Sequence, residues 1–127
     1  MQKLILLPFF LITLTAHTFT DPKIAGIIAP QTYENGKIVP GLLKVELYRF
    51  NKNQKPSPVA RFEYKDPRWP QAFSVGPKNL IDKSKPLRGE FRVKVIFQSS
   101  KGKEFTGQTS LNQKVLPGTK NLKIQIK

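Results

Sequence analysis

Eight carboxylates are available for acid–base work in this chain: Asp21, Glu34, Glu46, Glu63, Asp66, Asp82, Glu90 and Glu104. Each has basic neighbours nearby in sequence, and any two can meet in space, so spacing alone leaves a glycosidase-like dyad open. No residue pattern marks a nucleophile, a phosphate-binding loop or a metal cluster. The chain holds no cysteine and one histidine, His17. That excludes thiol nucleophiles, disulfides, thiolate zinc sites, iron–sulfur clusters and haem attached through Cys-x-x-Cys-His. A Ser-His triad or a multi-histidine metal site has too few imidazoles to be built. His17 at a new amino terminus would chelate copper only with further ligands, and no second histidine supplies one. The residues therefore argue against catalysis, with no cofactor and no metal expected. They favour recognition, through two features. One is an excess of 22 Lys plus Arg over 8 Asp plus Glu. The other is Trp69, the single tryptophan, held between Pro67 and Pro70 beside Arg68.

What the positive charge binds depends on where the chain works. Met1-Gln2-Lys3 is a short basic start, Leu4–Ile12 an apolar run, and Thr13–Thr18 a small and polar exit. These are the three parts of a secretory signal peptide, expected over residues 1–20, with cleavage after Ala16 or Thr18. The apolar run is about half the ~20 residues that a membrane-crossing helix needs. No cysteine is present to carry a lipid. The expected destination is the periplasm. Lys3 is the only charged residue of that leader, so residues 21–127 carry one positive charge fewer than the +14 of the whole chain. Outside the cytoplasm, the polyanions on offer are acidic proteins, anionic headgroups and envelope polysaccharides. Peripheral contact with the envelope fits this charge. Nucleic acid is not an expected partner, because the bases are scattered and Tyr48, Tyr64 and Trp69 fall on different elements.

The elements that must position these groups are short and alternating. Lys23–Ala29, Leu42–Phe50, Pro58–Tyr64, Ala72–Val75, Glu90–Gln98, Lys103–Thr109 and a last segment at Asn121–Lys127 read as strands. The phase is clearest at Leu43, Val45 and Leu47, and again at Phe91, Val93, Val95 and Phe97, all of which should point inward. Pro30–Pro40, Asn51–Pro58 and Asp66–Pro70 read as loops or turns, and Ser99–Gly102 as a tight turn. At most one helical turn fits at Pro77–Lys83. The expected fold is all-β, one β-sandwich of seven to eight strands over residues 21–127 with a transthyretin- or immunoglobulin-like layout.

On this reading Lys44, Arg92, Lys94, Lys123 and Lys127 face outward. If their strands share a sheet, they form a basic plate for an acidic or extended partner. Trp69 is either an anchor for that partner or a plug over one open end of the sandwich. The partner-binding candidates are Lys44, Arg68, Trp69, Arg92, Lys94 and Lys123.

In order, Ile24-x-Gly26, Pro40-Gly41 before Leu42-Leu43-Lys44-Val45, and Pro58-Val59-Ala60 open the strands. Trp69-Pro70-x-x-Phe73, Val75-Gly76-Pro77, Asn79-Leu80, Gly89-x-Phe91-x-Val93-x-Val95, Lys101-Gly102 and Val115-Leu116-Pro117-Gly118 follow. Over residues 23–127 this series resembles the carboxy-terminal periplasmic β-domain of the apocytochrome c chaperone of bacterial cytochrome c maturation. That resemblance implies a non-enzymatic, chaperone-like module accessory to cytochrome c-type biogenesis. Its implied partners are apocytochrome c or maturation components. The layout is also similar to the small outer-membrane pilotins of secretion systems. That similarity implies an envelope-assembly factor binding a secretion or outer-membrane protein.

Overall fold

The computed structural model describes residues 23–49, 57–84, 87–110 and 113–127. The expected leader, with His17, lies outside the described residues, as does most of the turn expected at Asn51–Pro58. Seven strands run in chain order: β1 (Ile24–Pro30), β2 (Gly41–Arg49), β3 (Pro58–Lys65), β4 (Gln71–Val75), β5 (Phe91–Ser99), β6 (Glu104–Gln108) and β7 (Leu122–Ile126). A single 3-10 turn, Pro77–Asn79, follows β4 where one helical turn is expected. The alternation of apolar and polar residues is the cause of these strands. Leu43, Val45 and Leu47 of β2 are fully buried, as are Phe91, Val93 and Val95 of β5. Each such side chain contributes about 1.5–3 kcal/mol on leaving water.

The strands form two sheets, with order β4-β1-β7 in one and β3-β2-β5-β6 in the other. All pairs are antiparallel except β1 with β7, which run parallel. In the larger sheet the inward pairs are Leu43 with Phe97, Val45 with Val95 and Leu47 with Val93. From the smaller sheet Ile24, Ile28, Phe73, Val75, Leu122, Ile124 and Ile126 meet them to form the core. This is the expected β-sandwich. Gly26 of β1 stands beside Leu122 of β7, and a Cβ there would collide with the Leu122 carbonyl oxygen. The close parallel pairing needs a residue without a side chain.

The two seams between the sheets are closed differently. Between β6 and β7 the backbone itself crosses: the Thr106 amide donates to the Lys127 carbonyl at 3.1 Å and the Lys127 amide returns the bond at 3.0 Å. Gly107 makes the approach possible, since a Cβ there would strike the Gln125 carbonyl oxygen. Between β3 and β4 the closure is by side chains. Phe62 and Tyr64, half-buried and edge-to-face at 5.4 Å, pack against the core from β3. The Ser74 backbone of β4 comes near the Tyr64 hydroxyl and favours its ionised form.

Candidate binding groove at one end of the sandwich

Two loops build one end of the molecule. In the segment between β1 and β2, the Gly36 amide donates to the Trp69 carbonyl at 2.7 Å and the Trp69 amide donates to Lys37 at 3.1 Å. The Val39 amide donates to the Pro67 carbonyl at 2.9 Å. Asp66 finishes the tie by accepting from the Gly41 amide at 3.0 Å through its carboxylate. Residues 36–41 and 66–69 thus clasp each other although some thirty positions separate them. The physical reason is local: prolines at 67 and 70 remove amide donors and keep the chain extended, so its carbonyls are left for a neighbouring segment.

This clasp holds Trp69 over the end of the core. The indole is 4% exposed and packs edge-to-face on Phe97, with ring centroids 5.2 Å apart. Phe97 in turn stacks on Phe105 of β6 at 6.1 Å. Trp69 is therefore the plug of the two alternatives raised by the sequence. Its outer edge also lines an open groove of about 600 Å³, together with Phe97, Phe105 and Ile126. Ile38 hangs over the side, half exposed at 52%. Four lysines ring this apolar floor: Lys37 from the clasp, Lys101 and Lys103 from the β5–β6 hairpin, and Lys127 after β7. No Asp or Glu among the described residues lines the groove. Among the described residues the one acidic neighbour recorded for these lysines is Glu34, at 4.0 Å from Lys37, and both side chains there are largely in water. An exposed contact of that length adds little.

The other candidates from the sequence fall elsewhere. Arg68 is exposed beside Trp69, and its guanidinium donates to the Gly36 carbonyl at 3.3 Å, so it braces the clasp and is not part of the groove lining. Lys44, Arg92 and Lys94 stand on the outer face of the larger sheet, on β2 and β5. Lys123 does not join them, because β7 belongs to the other sheet. The single basic plate is corrected on this point: β2 and β5 share a sheet, and β7 does not join them.

The face that remains is mixed in sign. Glu46 lies opposite Lys94 on one side and Arg61 on the other. Its carboxylate accepts from the Arg61 Nε–H at 3.0 Å and from the Tyr48 hydroxyl at 3.0 Å. Burial pushes the Tyr48 hydroxyl above its ordinary pKa, helped by the bond to Glu46 and the charge of Glu46, while Arg61 pulls the other way. Glu63 and Glu104 add two further acids to this face. Among the described residues, no group of three or more His, Asp or Glu is placed to hold a metal ion.

Sequence reasoning missed Ile38, Phe105, Lys101 and Lys103, and assigned Lys127 to the basic plate. One signal was present, since Lys101-Gly102-Lys103 puts two cations on a tight turn and Phe105 is the first inward residue after it. Nothing local shows that this turn sits beside Trp69.

No protein-family model and no curated protein sequence matches the chain. The resemblance to the apocytochrome c chaperone domain finds no support in these comparisons. Among solved structures, the chain is similar to an alternative pilotin from the type II secretion system of Vibrio cholerae. The match has a TM-score of 0.58 and 13% identity, and covers 84% of this chain and 96% of that one. What the two share is the fold, nearly the whole of the pilotin laid over the β-sandwich described here.

Proposed function

We propose that this chain is a non-enzymatic, protein-binding β-sandwich of the pilotin type, working in the periplasm on a secretion or outer-membrane protein. The observation that carries the reading is the fold shared with a type II secretion pilotin over 96% of the pilotin's length. Two features agree with it. The basic start, short apolar run and small-residue exit of residues 1–20 have the pattern of an export signal. The open end of the sandwich offers apolar rings and cations, the kinds of group that hold a polypeptide. A role in cytochrome c maturation has no comparable support.

The test is a crosslinking pulldown from periplasm and outer membrane with the exported protein as bait. Enrichment of a secretin or another secretion-system component is expected. Enrichment of cytochrome c maturation proteins, with secretion components absent, overturns the assignment. So does recovery of the chain from cytosol alone, with the leader intact.

A further inference from the structure

We propose that the lysine-ringed groove binds a short acidic segment of a protein partner, with apolar side chains on the aromatic floor and carboxylates at the rim. The inference rests on the protein-binding reading above and names the chemistry of that partner and the place where it sits.

Four observations on the groove carry it. The floor of Trp69, Phe97, Phe105 and Ile126 is rigid, because Trp69, Phe97 and Ile126 are nearly buried in the core and Phe105 stacks on Phe97. A preorganised apolar floor binds without first paying for ordering. The rim is basic: Lys37, Lys101, Lys103 and Lys127 are all cations, and among the described residues no acidic side chain lines the space between them. Glu104 follows Lys103 in β6 but alternates to the other face from Phe105, in register with the outward Gln98. This differs from the outer face of the larger sheet, where Glu46 already occupies Arg61. Among the described residues the one acid placed against a groove cation is Glu34, 4.0 Å from Lys37 and largely in water, so the field of Lys101, Lys103 and Lys127 reaches an incoming ligand.

The third observation separates a peptide from a lipid. Gln31, Thr32, Ser99 and Ser100 stand in the same lining and bring amide and hydroxyl groups next to the apolar floor. Such groups pair with the amides of a polypeptide and give nothing to an alkyl chain. Finally, Ile38 leaves half of an apolar side chain in water at the groove edge, where a partner's apolar residue would cover it.

Trp69 reports on the site directly, since it is the only tryptophan of the chain and sits in the floor. The experiment titrates the exported protein with three probes and reads indole fluorescence. They are a short synthetic peptide alternating Asp or Glu with Leu and Phe, the same peptide with Lys in place of each acid, and phosphatidylglycerol vesicles. A saturable shift is expected with the acidic peptide, weakened by added salt, and none with the basic peptide. The double variant Lys101→Glu, Lys103→Glu should bind the acidic peptide on the order of tenfold more weakly. Both positions are exposed, so its melting temperature should stay near that of the wild type. Phe105→Ala should weaken binding at any salt concentration. A response to vesicles without one to the acidic peptide overturns the proposal in favour of a lipid site. Equal binding of both peptides, or full affinity in the double variant, overturns it as well. These outcomes are independent of which protein the pulldown recovers: a partner from outside secretion would remove the pilotin-type reading and leave the groove's chemistry standing.

Discussion

The two seams of this sandwich solve one problem by opposite means. At β6–β7 the chains come close enough for Thr106 and Lys127 to exchange backbone hydrogen bonds, and Gly107 gives up its side chain to allow it. At β3–β4 the backbones stay apart, and Phe62 and Tyr64 fill the space between them. The first seam is closed by absence of bulk, the second by bulk. The first should tolerate no added atom, and the second should degrade in steps as atoms are removed. The groove lies at the end of the tight seam, with Phe105 and Ile126 from its two strands in the floor. A ligand there rests on the part of the edge that cannot adjust.

The largest effect belongs to the core that both seams enclose. Val93 is fully buried, paired with Leu47, and its amide and carbonyl are both satisfied by Thr109. Val93→Asp places an unpaired carboxylate there and should cost more than about 4 kcal/mol. Far-ultraviolet circular dichroism on heating should show no cooperative transition. A variant that melts like the wild type would mean that neither seam encloses the core described.

Gly107→Val comes next. Its side chain would meet the Gln125 carbonyl, and the expected loss is about 2–4 kcal/mol in denaturant unfolding. Because β6 and β7 must part, Phe105 and Ile126 should shift too, and the variant should lose peptide binding beyond its loss of stability. A neutral Gly107→Val would erase the contrast between the seams.

Tyr64→Phe tests the other seam with the ring retained. Removing the hydroxyl that the Ser74 backbone approaches should cost no more than about 1 kcal/mol, without effect on the groove. The same tyrosine makes stability depend on alkali. Burial raises its pKa above the ordinary value near 10, and the Ser74 bond offsets this in part. The folded state therefore holds the proton more tightly than the unfolded chain does. That contribution is fully present below pH about 10 and is lost as pH rises through the raised value. Tyr48, raised by burial and by Glu46, acts in the same direction. The melting temperature of the wild type should fall more steeply above pH 10 than that of the Tyr48→Phe, Tyr64→Phe variant. Parallel curves would show that neither hydroxyl is linked to folding.

The smallest effect concerns the mixed outer face. Glu46→Gln removes the partner of Arg61, half of whose side chain is in water, and should change stability by no more than about 1 kcal/mol. Its use is to sharpen the second comparison, between a face where Glu46 pairs with Arg61 and a groove whose lining, among the described residues, holds no carboxylate side chain. If Glu46→Gln made the outer face bind the acidic peptide as well as the groove does, the groove's apolar floor would add nothing.

Much of the fold could be read from the residues alone. Alternation at β2, β5 and β7 gives the inward positions correctly because side chains of a strand point to opposite faces every second residue. Proline and glycine clusters placed the turns, down to Ser99–Gly102, since those residues remove a donor or permit a positive φ. The same periodicity says which side of a strand is buried and nothing about the sheet it joins. Leu122, Ile124 and Ile126 would face the core from either layer, and only the tertiary pairing with β1 sends Lys123 away from Lys44 and Lys94. The groove lies further still beyond local reading. Its lysines come from three separate segments, and its floor exists only because residues 36–41 clasp residues 66–69 over the end of the core. The sequence by itself determined strands, phase and an excess of positive charge, each a matter of near neighbours. The tertiary structure decided which charges stand together, because that depends on contacts between residues far apart along the chain.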